Sequence, residues 1–430
     1  MKEPISRREF MRRGAAASVV GVGAVSLGFP GLISAADEER AISAKEYLDE
    51  LLYTKEEVKS WLAGEAFPFA RYSSEFGWLL PDANFRDGID GSVSSYTYEK
   101  DDGPRITINH RDKPCRINTY GDSFTQCHQV NDEETWQEVL AAHIREPVRN
   151  FGIGGWSVYQ AYRRMLTEEK RTPAEYIIFN IYDDDHLRNL DSWRTIRVRK
   201  HVRFTEPPLP HVKVNVQRDT FEEFPNPCPT PESLYNLCDR EWVHKRFGDD
   251  FVLQIMVARR NARLKQQLKS YSDFNRLAAE HGLDIEVMNN VGLDKTAVAL
   301  HQSTALRSTE KIVEKIEAFA KANGKKVLYV LSFPAGSMAS LVRTRERWDQ
   351  SFVDFLKMKG LPFVDMMEYH MAEFRQFDLD IDDYLKRYYI GHYNPRGNLF
   401  CAFAMKNKLV EMLDPKPFPY REDVIKRVLE

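Results

Sequence analysis

From Cys115 onward the chain alternates short apolar runs with amphipathic ones. Arg116–Gly121, Pro147–Ile153, Tyr176–Tyr182, Lys326–Phe333 and Leu361–Met366 read as strands. The third, YIIFNIY, is an almost continuous apolar run, the pattern of a strand buried on both faces. Between these runs, Asp132–Ile144 carries Trp136, Val139, Leu140 and Ile144 on one helical face. Ser157–Leu166 opens with Ser157 and Gln160 at capping-box spacing. Ser308–Asn323, Arg345–Lys357 and 396–413 are also helical in period. Five strand–helix alternations predict an α/β fold on a five-stranded parallel sheet covered on both faces. Upstream, Tyr47, Leu51, Leu52, Val58 and Leu62 form a broken stripe that predicts a helix over 43–62. A hairpin is expected over 93–109, with Tyr96 and Tyr98 facing Ile106 and Ile108 across an Asp101-Asp102-Gly103 turn. The rhythm fails from Leu190 to Leu300, where a proline-rich stretch (Pro207 to Pro231) leads into a polar helical region, Ser233 to Leu277. So long a departure predicts an insertion, expected over the sheet's carboxyl edge, where open α/β sheets bind ligands. The expected organisation is an N-terminal helix and hairpin extension over 37–114, then a main domain over 115–430 with its insertion at 190–300.

Composition narrows the function classes. The 430 residues are 43% apolar and 29% charged, enough for a large core, and their net charge of −3 with no long basic stripe excludes a nucleic-acid platform. A mean hydropathy of −0.50 excludes a multi-span membrane protein. The first 36 residues differ from the rest. Ser6-Arg7-Arg8-Glu9-Phe10-Met11 is a twin-arginine pattern, a Gly/Ala-rich stretch follows from Gly14, and Ser34-Ala35-Ala36 offers the small residues of a cleavage site. Together they predict a signal peptide read by the Tat export machinery and a periplasmic or extracellular product. The glycines and Pro30 of that stretch argue against a permanent membrane span. Export admits disulfides. The cysteines are Cys115, Cys127, Cys228, Cys238 and Cys401, an odd set, and Cys228 with Cys238 is the expected pair. Their spacing fits no zinc site, and no metal or other cofactor is expected.

Four blocks carry candidate chemistry. Gly121-Asp122-Ser123-Phe124-Thr125 closes the first strand and opens a helical segment, so a serine there projects its hydroxyl above the carboxyl edge of the sheet. The competing reading is an ordinary N-cap serine. Asn150-Phe151-Gly152-Ile153-Gly154-Gly155 follows the second strand, where glycines let backbone N–H groups approach a ligand. Asp183-Asp184-Asp185-His186-Leu187-Arg188-Asn189 ends the third strand; three consecutive carboxylates cannot all face one ion, so a solvated acidic loop competes with an active-site loop. His392-Tyr393-Asn394-Pro395-Arg396-Gly397 precedes the last helix and places a histidine as a general base, or merely at the surface.

In this order the blocks resemble the SGNH/GDSL hydrolase family, over about 115–190 and 325–413, with GDSFT the most specific part. The resemblance implies a flavodoxin-like three-layer sandwich and hydrolysis of esters of lipids, sugars or other small acyl carriers. It implies Ser123 as nucleophile, His392 as base, and Gly155 with the Ser123 backbone N–H as oxyanion donors. Two positions depart from the family pattern. Asp184 stands where the family has an oxyanion-binding Asn, and an ionised carboxylate cannot donate; Asn180 and Asn189 are nearby substitutes. Tyr389 stands where the triad acid is usual, so His392 needs another partner. Asp383 is expected, with Asp382 beside it and Asp184 as the rival, and a Ser–His dyad follows if none reaches the ring. The function expected is an exported serine ester hydrolase acting on acylated carbohydrate, a small-molecule or glycan ester. The alternatives are a polysaccharide O-acyltransferase using the same chemistry and a catalytically degenerate carbohydrate-binding relative.

Overall fold

The computed structural model of the protein describes residues 40–65, 70–198, 206–422 and 424; the expected export signal over 1–36 lies outside them. The chain divides into two compact units. One comprises Pro81–Asp185 and the chain from Ile312; the other comprises His186–Lys311 and the described chain before Pro81.

The first unit is built on β1 (Ile117–Tyr120), β2 (Arg149–Asn150), β3 (Tyr176–Tyr182), β4 (Lys326–Ser332) and β5 (Phe363–Asp365). All pairings are parallel, in the order β5-β4-β3-β1-β2, the flavodoxin-like arrangement. Every residue of the central strand β3 is buried. Each apolar side chain there contributes about 1.5–3 kcal/mol of burial, which is why the strand coincides with its apolar run to the residue. Its register sets Phe179 opposite Tyr120 and Tyr182 opposite Ser332. Gly121, Asp183 and Phe333 therefore leave the sheet at one carboxyl edge. The second strand is shorter than expected, because after Asn150 only alternate contacts continue: Phe151 N–H donates to the Thr119 carbonyl at 2.9 Å and Ile153 N–H to Gly121 at 3.1 Å.

The helices of this unit include α1 (Ser123–Gln126), α2 (Trp136–Ile144), α3 (Val158–Arg171), α4 (Ala335–Thr344), α5 (Gln350–Met358), α6 (Met366–Phe374) and α7 (Pro395–Met412), with a short one at Ile381–Lys386 between the last two. The Ser157/Gln160 capping box starts α3 as expected. The helix expected from Arg345 begins only at Gln350, since Arg345 is the left-handed cap of α4. The expected hairpin keeps its turn, with Asp101 and Asp102 at φ 57° and 63° and Glu99 N–H donating to the Pro104 carbonyl at 2.9 Å. Its arms pair only near the turn, through an antiparallel Tyr98–Arg105 bridge and Ile106 N–H donating to the Thr97 carbonyl at 2.8 Å, and Ser94–Tyr96 forms its ladder with Ala83–Phe85.

In the second unit the single helix expected over 43–62 is two, Ala44–Asp49 and Lys55–Leu62, each started by its own capping box at Ser43 and Thr54. Two strands missed in the sequence, His211–Asn215 and Thr220–Phe224, form an antiparallel hairpin. Helices follow at Arg240–Phe247, Phe251–Asn261 and Ser272–Glu280, and the helix expected from Ser308 already starts at Asn290 and runs to Ala322. The expected Cys228–Cys238 bridge is not formed; Cys228 is fully buried while Cys238 is half-buried. Among the described residues no helix is long and apolar enough to cross a membrane.

Candidate active site

Gly121 makes the turn that presents Ser123. Its φ of 154° and the 2.2 Å separating an added Cβ from Thr125 Oγ1 leave room for glycine alone. Asp122, not Ser123, caps α1: its Oδ1 accepts from Phe124 N–H at 2.9 Å, while its Oδ2 stands 3.1 Å from Ser123 Oγ as a second acceptor for the one hydroxyl proton. The serine is thus released from capping, which removes the competing reading of it.

His392 is held from the other end of the chain. Asn394 caps α7 by accepting from Gly397 N–H at 2.9 Å, with Pro395 at the first helical position. The motif is a helix start, and it leaves His392 just outside the helix. There Nε2 lies 2.8 Å from Ser123 Oγ. The imidazole packs on Phe124, 5.1 Å between ring centroids, and Phe124 in turn stacks on Tyr182 from β3.

The other imidazole nitrogen faces an amide. Nδ1 is 3.3 Å from Gln129 Oε1, which also accepts the His392 backbone N–H at 2.8 Å. Gln129 Nε2 donates to the Asp87 carbonyl at 3.0 Å. A backbone N–H can only donate and a carbonyl can only accept, so these two partners fix which way the amide points. Oε1 toward the ring then requires the proton on Nδ1 and a lone pair on Nε2, the tautomer that can take a proton from serine. Gly391 permits this contact: it sits at φ 123°, and a Cβ there would stand 2.7 Å from Gln129 Oε1.

Gln129 itself is held at φ 75°. Its N–H donates to the Tyr96 hydroxyl at 2.7 Å, which donates to Asp87 Oδ2 at 2.8 Å, and His128 Nε2 lies 3.2 Å from the same oxygen. The buried Arg105 guanidinium gathers the surrounding loop, bonding the carbonyls of Gln126, Cys127, Val130 and Ser95 at 2.7 to 3.0 Å and Asp132 Oδ1 at 2.6 Å. Nothing in the sequence singled out Gln129, since a lone amide after a GDS block has no spacing signature.

Of the residues expected at the site, the structure brings Ser123 and His392 together. Asp383 does not join them. Its exposed carboxylate binds Lys386 Nζ at 2.6 Å, which holds its pKa below the usual range. Asp382 pairs with Arg343 at 2.7 Å, also at the surface. Tyr389, at the usual acid position, directs its hydroxyl to the Phe333 carbonyl at 3.2 Å. Asn189 is fully buried in the second unit, where its amide donates to Ser308 and Thr309 hydroxyls at 3.0 and 2.9 Å, so its protons are committed. Asn180 accepts from Ser332 at 2.9 Å.

The acidic block divides its work. Asp183 accepts from the Ser337 hydroxyl at 2.6 Å and Trp348 Nε1 at 2.5 Å, and burial pushes its pKa up to about 6. Asp185 accepts the Tyr182 N–H at 3.1 Å. Asp184 is half-buried between them at the end of β3. In the glycine loop, Gly155 turns at φ 81°, and a Cβ on Gly154 would lie 3.6 Å from that of Ser123.

No family model matches the chain, and no curated protein matches it either. Among solved structures, it is similar to a candidate lipolytic protein of the G-D-S-L family from Desulfitobacterium hafniense DCB-2, at 11% identity and a TM-score of 0.32 over 68% of this chain and 97% of the other. It is also similar to LAE5, an alpha/beta hydrolase enzyme from the metagenome of Lake Arreo, Spain, at 12% identity and a TM-score of 0.32 over 69% of this chain and 96% of the other. The chemistry of the site is therefore read from its own geometry.

Proposed function

We propose that the protein is an exported serine ester hydrolase acting on acyl esters of carbohydrates. The observation that carries this reading is the 2.8 Å contact between Ser123 Oγ and His392 Nε2, with an acceptor-only atom behind Nδ1. In the proposed reaction Ser123 Oγ attacks the acyl carbon as its proton passes to His392 Nε2. The backbone N–H groups of Ser123 and Gly155 receive the oxyanion. Asp184 would add a donor only in its protonated form; ionised, it accepts alone. Collapse of the intermediate expels the sugar alcohol, which takes the proton from His392, and water then releases the acid by the same steps reversed. Gln129 holds the tautomer, and its neutral amide stabilises the imidazolium less than a carboxylate would.

The test is Ser123→Ala assayed on acetylated sugars and chromogenic short-acyl esters. Turnover should be lost while the melting temperature holds, and a fluorophosphonate should label the wild type at Ser123. Full activity in the variant, or labelling elsewhere, removes Ser123 as nucleophile. Twin-arginine-dependent export is tested by replacing Arg7 and Arg8 with lysine and following the protein across the inner membrane.

A further inference from the structure

The second unit encloses a cavity of about 260 Å³ remote in sequence from the serine and histidine motifs. One wall is the hairpin His211–Asn215 with Thr220–Phe224; Phe251, His281 and Thr304 contribute others. Two polar atoms in these walls have no hydrogen-bond partner within the protein. One is Thr304 Oγ1, in a residue 1% exposed, and the other is His281 Nδ1. Unpaired buried polar groups are costly, and these two border one space, so a guest able to bond both recovers that cost. The His281 ring packs on Phe251, 4.6 Å between centroids, so an aromatic surface adjoins the polar atoms.

The remaining lining decides which chemistry fits. Glu222, Asp249, Asp250 and Glu280 border the cavity against a single Lys213, whose ammonium sits 5.0 Å over the Phe224 ring. That balance repels phosphate and carboxylate ligands. Both imidazoles are neutral near pH 7, since burial pushes His211 down to about 4 and lowers His281 as well. Asp250 is already occupied, accepting from the Ser192 hydroxyl at 2.5 Å and Leu253 N–H at 3.0 Å. What remains is a set of acceptors and neutral hydroxyl, amide and imidazole groups beside an aromatic face, in a space at the small end of ligand sites. Hydroxyl groups on a compact ring with an apolar face match that set; an acyl chain does not.

We propose that this cavity binds a single neutral sugar ring, with ring hydroxyls bonded to Thr304 Oγ1 and His281 Nδ1 and the apolar face of the ring against Phe251. The site would make the second unit a saccharide-binding element in its own right. It does not rest on the hydrolase reading, because binding is measured without turnover.

Saturation-transfer difference NMR on the full chain, with glucose, galactose, mannose, xylose and N-acetylglucosamine as probes, tests it. At least one sugar should bind, with a Kd of about millimolar strength, as suits roughly a dozen ligand atoms. Thr304→Val, nearly isosteric, and Phe251→Ala should each weaken it by about tenfold, while Thr304→Ser, which keeps the hydroxyl, retains it. No transfer to any of the five sugars overturns the proposal. Binding that survives both Thr304→Val and Phe251→Ala also overturns it, because the sugar is then held elsewhere. So does a preference for simple alkylammonium ions over every sugar.

Discussion

His392 and His370 are both buried imidazoles in the first unit, and both are ringed by aromatic side chains. His370, on α6, has Nδ1 3.0 Å from the Tyr384 hydroxyl and Nε2 3.1 Å from that of Tyr393. Phe400 packs 4.5 Å from its ring. Burial drives its pKa down to about 3, so it stays neutral. Tyr384 gives its own proton to Glu373 Oε2 at 2.8 Å, so its oxygen accepts from Nδ1, while Nε2 meets the hydroxyls of Tyr393 and, at 3.4 Å, Tyr389. His392 differs in what faces Nε2. Gln129 Oε1 can only accept, its direction is set by two backbone groups, and a serine hydroxyl waits on the opposite nitrogen. Each ring has an acceptor behind Nδ1; what separates them is the hydroxyl at Nε2, a buried tyrosine's for His370 and that of the helix-start serine for His392.

That contrast can be broken at Gln129. Gln129→Met keeps volume and removes the acceptor. Turnover should fall on the order of 100-fold with KM little changed, short of the roughly 10⁴ lost when a Ser-His-Asp site holds the wrong tautomer. Steady-state kinetics on any hydrolysed ester decides it, and turnover within twofold of wild type would show that the amide does not orient the ring.

A gentler perturbation reaches the same contact from the other side. Gly391→Ala puts a methyl 2.7 Å from Gln129 Oε1 at a φ of 123°. We expect a loss of about 1–3 kcal/mol in unfolding free energy from the backbone strain alone, and a fall in kcat on the order of tenfold. Denaturant titration and kinetics should move together; a stability loss with untouched kcat would separate the Gly391 turn from His392 orientation.

The smallest effect on turnover is expected at His370. Its folded pKa, about 3, lies below the ordinary 6.5, so the neutral ring contributes stability above pH 6.5 that is lost as pH falls toward 3. His370→Phe should leave kcat within about twofold, as expected of a substitution that touches no reacting group. It should also flatten the decline of stability between those two pH values. Unfolding curves across that window check the slope, and parallel profiles for the two proteins would contradict a buried, neutral His370.

The sequence made some of this legible and hid the rest for physical reasons. YIIFNIY could only be a strand buried on both faces, and β3 starts and stops with it. The GDSFT turn was readable because a left-handed-side glycine, a capping aspartate and a serine have one geometry in common. The hairpin at His211–Phe224 was masked by the prolines on either side and by Thr220, Glu222 and Glu223, which are exposed and give no apolar alternation. Nor could the ladder of Ser94–Tyr96 with Ala83–Phe85 be read beside the pairing of Thr97 and Tyr98 with Ile106 and Arg105, since both are local. Within the site, the carboxylates nearest His392 in sequence are not its partners. Asp382 and Asp383 are neighbours along the chain but belong to a surface helix turn, while Gln129 comes from the far end of the unit. Charge is visible in a sequence; an amide pinned at positive φ is not.

Arg105 bears on how far the chain can be shortened. A protein begun at Cys115, where the strand–helix rhythm starts, would retain the whole parallel sheet, Ser123, Gln129 and His392. It would lack Arg105, Tyr96 and Asp87. Three loop carbonyls, those of Gln126, Cys127 and Val130, the Asp132 carboxylate and the Gln129 N–H would then lose these partners at once. A lysine could not deputise for the arginine, having three donors on one atom where five bonds diverge over a planar fork. The smallest portion of the chain able to hold its histidine in register with its serine therefore begins upstream of Asp87, well before the first motif that any scan for nucleophiles would flag.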